Sequence, residues 1–431
     1  MLDIKFIREN SALVKKIAKE KRVEVDIDKL LKLDEKRRAH IVKLEGMRAQ
    51  QRKLGSGHKG KPPKEIMVRL KELSDDIKVA QEAQNTLDEE YQKLLWTVPN
   101  IVHESVPHGK DESENKIVRK VGKHLTMDFH PKEHWELGAA LGIIDIVHAS
   151  EVSGARFAYL KGKLALLQFA LINFALSVLT DEKKLAQIAK DTKLKVSTKP
   201  FTAVIPPVLM RPEIMNKMAR LEPREERYHI ESDDLYLVGS AEHTLGPLHM
   251  NETLKEEDLP IRYVGYSTSF RREAGTYGKD TKGIMRVHQF DKVEMESFTT
   301  PEQGIAEQDF LIAIQEYLMQ ALGIPYQVVF KCTGDMGAPD YREFDIEAFM
   351  PGQGRYRETH TADYMTDYQA RRLNTKVKHA DGRTEFVHMN DATAIALSRT
   401  PVAILENYQQ KDGSIKVPEA LVPFCGFSEI K

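Results

Sequence analysis

Cysteine is scarce in this chain of 431 residues: only Cys332 and Cys425 occur, far apart and with no Cys-x-x-Cys pair. That excludes a disulfide framework or a cysteine-rich zinc site as the organising principle and fits a reducing compartment. Charge of one sign is missing too. Lys+Arg 64 stand against Asp+Glu 65, so a polyanion partner has to be sought segment by segment. Long apolar runs are few. The most apolar stretch, residues 164–179, is interrupted by Gln168, Asn173 and Ser177; it is too short and polar to span a bilayer and reads as a buried helix. Residues 1–16 carry Asp3, Lys5, Arg8 and Glu9 among their apolar positions, a pattern of neither a secretion leader nor a transit peptide. A cytoplasmic protein with no membrane partner is expected. There is no Gly-x-x-x-x-Gly-Lys-Ser/Thr phosphate loop and no repeat of solenoid period, so a nucleotide, if used, is held by another device.

The chain is long enough for two or three domains, and its first hundred residues differ from the rest. Ile66, Leu70, Leu73, Ile77, Ala80, Gln84, Leu87, Tyr91 and Leu94 recur at alternating steps of four and three, a heptad seam in which Gln84 alone is strongly polar. Leu33, Leu44, Met47 and Leu54 keep the same rhythm, with Arg37, His40 and Gln51 in the other seam places. The Gly- and Pro-rich residues 55–63 break the two apart. An antiparallel helical hairpin over about residues 28–96 is predicted, and at ~1.5 Å per residue its second helix projects roughly 43 Å. Charge along it is polarised. Residues 29–71 hold 14 Lys/Arg against 4 Asp/Glu, whereas residues 72–95 hold 2 against 7. Solvated coiled-coil faces also carry charge, but concentration of one sign toward the tip favours polyanion binding.

From about Lys116 the pattern becomes mixed. Alternation over 343–349 and 286–298 predicts strands, and 164–179, 301–322 and 392–408 read as helical. The resulting class is α+β: a mainly antiparallel sheet flanked by helices, plus the helical arm. The provisional division is 1–110 and 111–431.

The segment most informative about chemistry runs Ser269-Phe270-Arg271-Arg272-Glu273-Ala274-Gly275, then through a loop to Gly283 and on to Arg286-Val287-His288-Gln289-Phe290-Asp291-Lys292-Val293-Glu294. On extended strands Arg271 and Glu273 share a face, as do Phe290 and Glu294. An arginine, two carboxylates and an aromatic ring facing one pocket suit a nucleotide plus a zwitterion. A cross-strand ion-pair ladder accounts for the pattern equally well.

This segment resembles motif 2 of the class II aminoacyl-tRNA synthetases, in the form typical of the seryl-tRNA synthetases. Residues 199–209, with Pro206-Pro207, resemble motif 1, the dimer-forming element, and 391–409, with Arg399 and Leu405-Glu406-Asn407-Tyr408-Gln409, resemble motif 3. The basic hairpin is similar to that family's tRNA-binding arm, and the resemblance covers essentially the whole chain. It implies a ligase that uses ATP and Mg²⁺ to activate L-serine and load tRNA-Ser, working as a homodimer.

Position by position, the resemblance assigns Arg271 to the α-phosphate and the serine carboxylate, Glu273 to the adenine, and Phe290 to stacking on it. Arg399 covers the ring from the other side. Glu358 helps hold Mg²⁺ and ATP, with Thr361 nearby. Ser240, Glu242, Glu294 and Thr393 face the serine hydroxyl and amino group, the first two from one extended segment. The chain departs from the family pattern at Ser240, His360, Thr361, Asp391 and Ser398. His360 is expected to be an ordinary, partly exposed histidine, and Asn390 is available one place from Asp391. Two other readings keep the same fold: an amino acid:carrier-protein ligase, disfavoured by the long arm, and a non-catalytic paralogue acting as a binding or regulatory module.

Overall fold

The computed structural model describes residues 1–56, 62–124, 126–274 and 282–431. It forms two compact units, Met1–Ile101 and Val102–Lys431. Residues 102–110, grouped with the arm in the sequence, make their contacts in the second unit, where the His103 N–H donates to the Tyr341 carbonyl at 2.9 Å.

The first unit is built of helices α1 (Ile4–Glu9), α2 (Ser11–Glu20), α3 (Ile27–Ser56) and α4 (Lys64–Thr97). The heptad positions form the seam. Leu33 and Leu44 on α3 and Leu73, Gln84 and Tyr91 on α4 are buried, and the remaining seam places are half-covered. Pairs across the seam fix direction and register. Arg37 pairs with Asp88 and lies 4.9 Å above the Tyr91 ring. His40 Nδ1 is 3.1 Å from Gln84 Oε1, and Arg48 donates to Gln81 at 2.6 Å. Partner numbers fall on α4 as they rise on α3, so the helices are antiparallel. A polar layer inside a seam costs stability but rejects other registers. The predicted breaker falls largely on residues 57–61, which lie outside the described residues.

The second unit is organised by an eight-stranded sheet: β1 (Lys116–Val121), β2 (Thr202–Val204), β3 (Ile261–Phe270), β4 (Gln289–Thr299), β5 (Tyr326–Phe330), β6 (Arg342–Met350), β7 (Arg355–Thr366) and β8 (His388–Ala396). Their order is β1-β5-β6-β7-β8-β4-β3-β2. Every neighbour is antiparallel except β2, which runs parallel to β3 at the edge. Helices α5 (His134–Ala140), α6 (Lys163–Leu179), α7 (Gly304–Ala321) and α8 (Thr400–Asn407) complete the parts that matter for the site. Residues 164–179 are the helix expected, with Leu164, Leu167, Leu171, Ala175 and Val178 buried. No single helix among the described residues is long and apolar enough to cross a membrane.

Two local expectations are corrected. Residues 392–396 belong to strand β8, and the helix begins only at Thr400. The alanines at 392, 394 and 396 suggest a helix, but a central strand buried on both faces loses the polar alternation that would identify it. Likewise β4 starts at Gln289, so Arg286 and His288 precede the strand instead of lying in it.

The helix face of the sheet shows how the cleft opens. Strands β7 and β8 pair from Thr366↔Met389 to Ala362↔Ala392 and then part. At the parting, buried Gln315 of α7 donates to the carbonyls of Thr361 and Thr393, both at 2.8 Å. A side-chain amide thus takes the place of ladder bonds, and the acceptors of two diverging strands stay satisfied.

Candidate active site

The cleft lies on the opposite face, over β4, β7 and β8. Arg271, Glu273, Phe290, Glu358, Thr361, Thr393 and Arg399 all line one small cavity. Arg271 reaches it from just past β3, with Nε donating to the Gly239 carbonyl at 3.2 Å and the guanidinium 5.4 Å from the Phe290 ring centre. Arg399, on the turn before α8, pairs with Glu358 Oε1 at 2.7 Å and also donates to the Glu358 carbonyl at 3.1 Å. The small cavity shares Met285, Arg286, Glu358 and Arg399 with a larger polar cavity of about 810 Å³. That volume is ample for a nucleotide.

Ser240, Glu242 and Glu294 are not in that lining but sit immediately beneath it. Glu294 accepts from Thr393 Oγ1 at 3.4 Å and pairs with Lys292 Nζ at 2.7 Å; the same Nζ donates to Ser240 Oγ at 3.3 Å. Glu242 Oε1 is 2.8 Å from Arg220 Nε, and Arg220 Nη2 lies 3.4 Å from Asp391 Oδ2 and 3.8 Å from Asp363 Oδ2.

Some details differ from the extended hairpin the sequence suggests. Strand β3 ends at Phe270, and Glu273 has φ +52°, so Arg271 and Glu273 are placed by a turn instead of a shared strand face. Glu273 is held at 2.6 Å by Arg286. Part of the connecting loop, residues 275–281, lies outside the described residues. Ser240 sits in a bend, and Glu242 opens the short helix Glu242–Leu245; the extended segment expected there ends at Leu237. His360 is buried, not partly exposed, with Nδ1 2.8 Å from Thr359 Oγ1. Burial pushes its pKa down to about 4, so it is neutral. Across β4 and β8, Glu294 opposes Thr393, Glu296 opposes Asp391 and Ser297 opposes Asn390. Alternation therefore puts Asp391 on the face of Thr393 and Asn390 on the other.

The electrostatics divide the acids into two kinds. Burial would raise Glu358, but the charges of Arg399, Lys331 and Arg271 outweigh it and hold the carboxyl at about 2. Burial likewise works against ionised Glu242, and Arg220 and Lys292 overcome it, so its pKa is lowered. For Glu294 burial prevails: with the Glu242 charge added, it raises the carboxyl to about 7 despite Lys292. Glu296 is raised well above the carboxylate range by burial and by Asp391 and Glu242, and neither of its oxygens has a hydrogen-bond partner among the described residues.

The sequence reading missed Lys292, Arg220 and Arg286. Lys292 was findable, because it lies between Phe290 and Glu294 on a strand and alternation gives all three one face. No local pattern ties Arg220 to Glu242.

An antiparallel sheet whose cleft gathers two arginines, a ring and an ionised glutamate defines a class II synthetase core, and the comparisons agree. Residues 226–408 match the tRNA synthetase class II core domain (G, H, P, S and T), and residues 1–102 match the seryl-tRNA synthetase N-terminal domain. Serine--tRNA ligases of Caldicellulosiruptor saccharolyticus and Thermotoga neapolitana are each 42% identical to the chain, covering 100% of both sequences. Among solved structures, seryl-tRNA synthetase from Pyrococcus horikoshii complexed with ATP superposes with TM-score 0.87 at 38% identity, covering 100% of this chain and 99% of that one. Cytoplasmic serine-tRNA ligase from Naegleria fowleri in complex with AMP gives 0.84 at 32% identity, covering 100% and 99%. The chain belongs to the seryl-tRNA synthetase family.

Proposed function

We propose that this enzyme activates L-serine with ATP and transfers the seryl group to the 3′ end of tRNA-Ser. The observation that carries the reading is that the two cavities share Met285, Arg286, Glu358 and Arg399, with Thr393 in the wall of the smaller one and Glu294 and Ser240 beneath it: one end suits a nucleotide, the other a small zwitterion with a hydroxyl. Relatives of the same fold bind ATP and AMP.

In this reading Phe290 and Arg399 sandwich the adenine, Glu273 accepts from its amino group, and Arg271 bridges the α-phosphate and the serine carboxylate. Attack of that carboxylate on the α-phosphorus builds negative charge on the phosphoryl oxygens, and Arg271, fixed by Gly239 and Phe290, meets it without reorganising. Glu358, Thr361 and neighbouring Asp345 are hard oxygen donors, two of them carboxylates, and fit Mg²⁺. When bound, that ion would withdraw charge from the phosphates. In the transfer step the terminal ribose hydroxyl attacks the seryl carbonyl carbon of the adenylate, an ester bond forms as the mixed-anhydride bond breaks, AMP leaves, and the hydroxyl proton is lost with no protein general base assigned.

Ser240, Glu242, Glu294 and Thr393 take the serine ammonium and hydroxyl. A pocket whose polar groups need that hydroxyl rejects alanine by on the order of 10⁴, since those groups are otherwise left unpaired. The basic hairpin would bind tRNA backbone phosphates with steep salt dependence. Exposed Val147, Val152, Phe169 and Ile205, the last 88% exposed, offer apolar surface that a second copy would cover in a homodimer. The cytoplasm is the compartment we assign.

The test is ATP–pyrophosphate exchange with each amino acid in turn, followed by charging of tRNA-Ser. Exchange with serine alone and subsequent charging are expected; exchange with another amino acid, or none, would refute the assignment.

A further inference from the structure

Lys292 stands on β4 between Phe290 and Glu294, its side chain 10% exposed. Its Nζ is 2.7 Å from Glu294 Oε2 and 3.3 Å from Ser240 Oγ. These are groups assigned above to the ammonium and hydroxyl of serine. Lys292 also lines the small cavity together with Arg271, Glu358 and Arg399. A buried cation therefore already sits at the amino-acid end of the site, within a wall that continues to the nucleotide end.

A second ammonium brought to the same oxygens meets a like charge. At ~4 Å and an effective dielectric of ~20, that repulsion disfavours joint occupancy on the order of a thousand-fold. Glu242 already feels the Lys292 charge, but Arg220 holds its Oε1 at 2.8 Å and largely neutralises it, and Glu294 Oε1 is taken by Thr393 at 3.4 Å. Lysine carries its charge on a flexible four-carbon stem with three rotatable donors. The cavity it lines leads to Arg271, where the phosphates of ATP would supply a new counter-ion.

We propose that Lys292 is an exchanged cation: in the empty site it holds Glu294 and Ser240, and the ammonium of serine displaces it toward the α-phosphate, where it joins Arg271. This rests on the serine-activating function above. No proton moves in the exchange. The serine carboxylate still forms the new P–O bond while the bond to pyrophosphate breaks, and Lys292 neutralises charge on the non-bridging oxygens. Amino-acid binding would thereby arm the phosphate site, and each substrate would tighten the other.

The experiment is pyrophosphate exchange by the full-length enzyme and its Lys292→Met and Lys292→Arg variants, with serine and ATP varied independently. For Lys292→Met, kcat is expected to fall about 100-fold, the size of effect of removing one preorganised charge-stabilising donor, with the KM for serine unchanged or lower; Lys292→Arg should recover part of the loss. An unchanged kcat, or a loss confined to a raised serine KM, overturns the proposal, since a merely structural lysine would give the latter. A second measurement needs no variant. On the unaltered enzyme, saturating serine should tighten ATP at least about fivefold, whereas saturating glycerate, which has a hydroxyl in place of the ammonium, should not. Equal tightening by both overturns the exchange. Absence of serine-dependent exchange in the unaltered enzyme would overturn the parent function as well, whereas normal exchange with an unaffected Lys292→Met variant overturns this inference alone.

Discussion

Replacing Glu294 by alanine tests the amino-acid subsite most directly, because the structure separates what the change does to folding from what it does to chemistry. The carboxylate is 1% exposed and paired with Lys292 at 2.7 Å. Removing one member of a buried pair costs about 3–5 kcal/mol when the other stays charged, and among the described residues Lys292 would be left with the Ser240 hydroxyl at 3.3 Å and the Glu242 charge that Arg220 already pairs. That is a large share of a typical domain's ~5–15 kcal/mol, so Glu294→Ala is expected to melt well below the parent. Glu294→Gln keeps the shape and an acceptor for Lys292 and should melt much closer to it. On chemistry the two diverge as well. Discrimination of serine from alanine, of order 10⁴ when the site depends on the hydroxyl, should collapse toward unity in Glu294→Ala. In Glu294→Gln, a neutral bond replaces a charged one, a difference of about 1–2 kcal/mol, so discrimination should drop roughly five- to thirtyfold. The assay is the ratio of kcat/KM for the two amino acids in pyrophosphate exchange, below the melting temperature of each variant. If Glu294→Ala exchanged serine and still rejected alanine by about 10⁴, the carboxylate would not be reading the hydroxyl, and the subsite assignment would fall.

Other expectations reach different parts of the molecule. Deleting residues 36–90 removes both sides of the hairpin in register, since Arg37 faces Asp88 and His40 faces Gln84; exchange should persist and tRNA charging should be lost, and normal charging by the shortened enzyme would refute the arm's role. Gly283 has φ +72°, and a Cβ there would lie 1.9 Å from His134 Nε2, so Gly283→Ala should cost about 1–2 kcal/mol for the backbone plus about 1–3 for the overpacking, read as a drop in melting temperature. His379 is held between Glu256 Oε1 at 3.0 Å and Glu385 Oε1 at 2.6 Å, and these bonds raise its pKa above 6.5. A raised histidine stabilises fully below its unfolded pKa and stops doing so as pH rises through its folded value. The melting temperature of the parent relative to His379→Gln should therefore shrink from about pH 6 upward; a gap independent of pH would refute the clamp.

How far the sequence discloses this molecule depends on the range of the physics involved. The arm was legible because a heptad seam is a local signal: burial at Leu73, Gln84 and Tyr91 is written in spacings of three and four. Strand β8 was not legible. A central strand shielded on both faces has no polar beat, and Ala392, Ala394 and Ala396 carry helical propensity that the sheet overrides. Alternation correctly brought Phe290 and Glu294 to one side, yet the turn at Glu273, with its positive φ, has no residue type that announces it. The gap between β7 and β8 that admits the cleft is bridged by Gln315, which reads in the sequence as one more polar position of a helix.

The departures from the family pattern can be judged only with such long-range partners in view. An aspartate at 391, taken alone, buries an acid beside Glu242, Glu294 and Glu296 and would argue for a damaged pocket; burial and the Glu242 charge push its carboxyl well above the usual carboxylate range. In the folded chain it does not stand alone, because Arg220, 171 residues away, lies 3.4 Å from it and 2.8 Å from Glu242. One guanidinium thus serves the acid at 391 and the carboxylate proposed to receive serine, which makes the two positions a single electrostatic unit. If that is so, Asp391→Asn should leave Arg220 more strongly committed to Glu242, and the two substitutions Asp391→Asn and Arg220→Met should be strongly non-additive in serine KM. Additive effects would mean that Asp391 acts independently, and the pocket's tolerance of an acid there would need another cause.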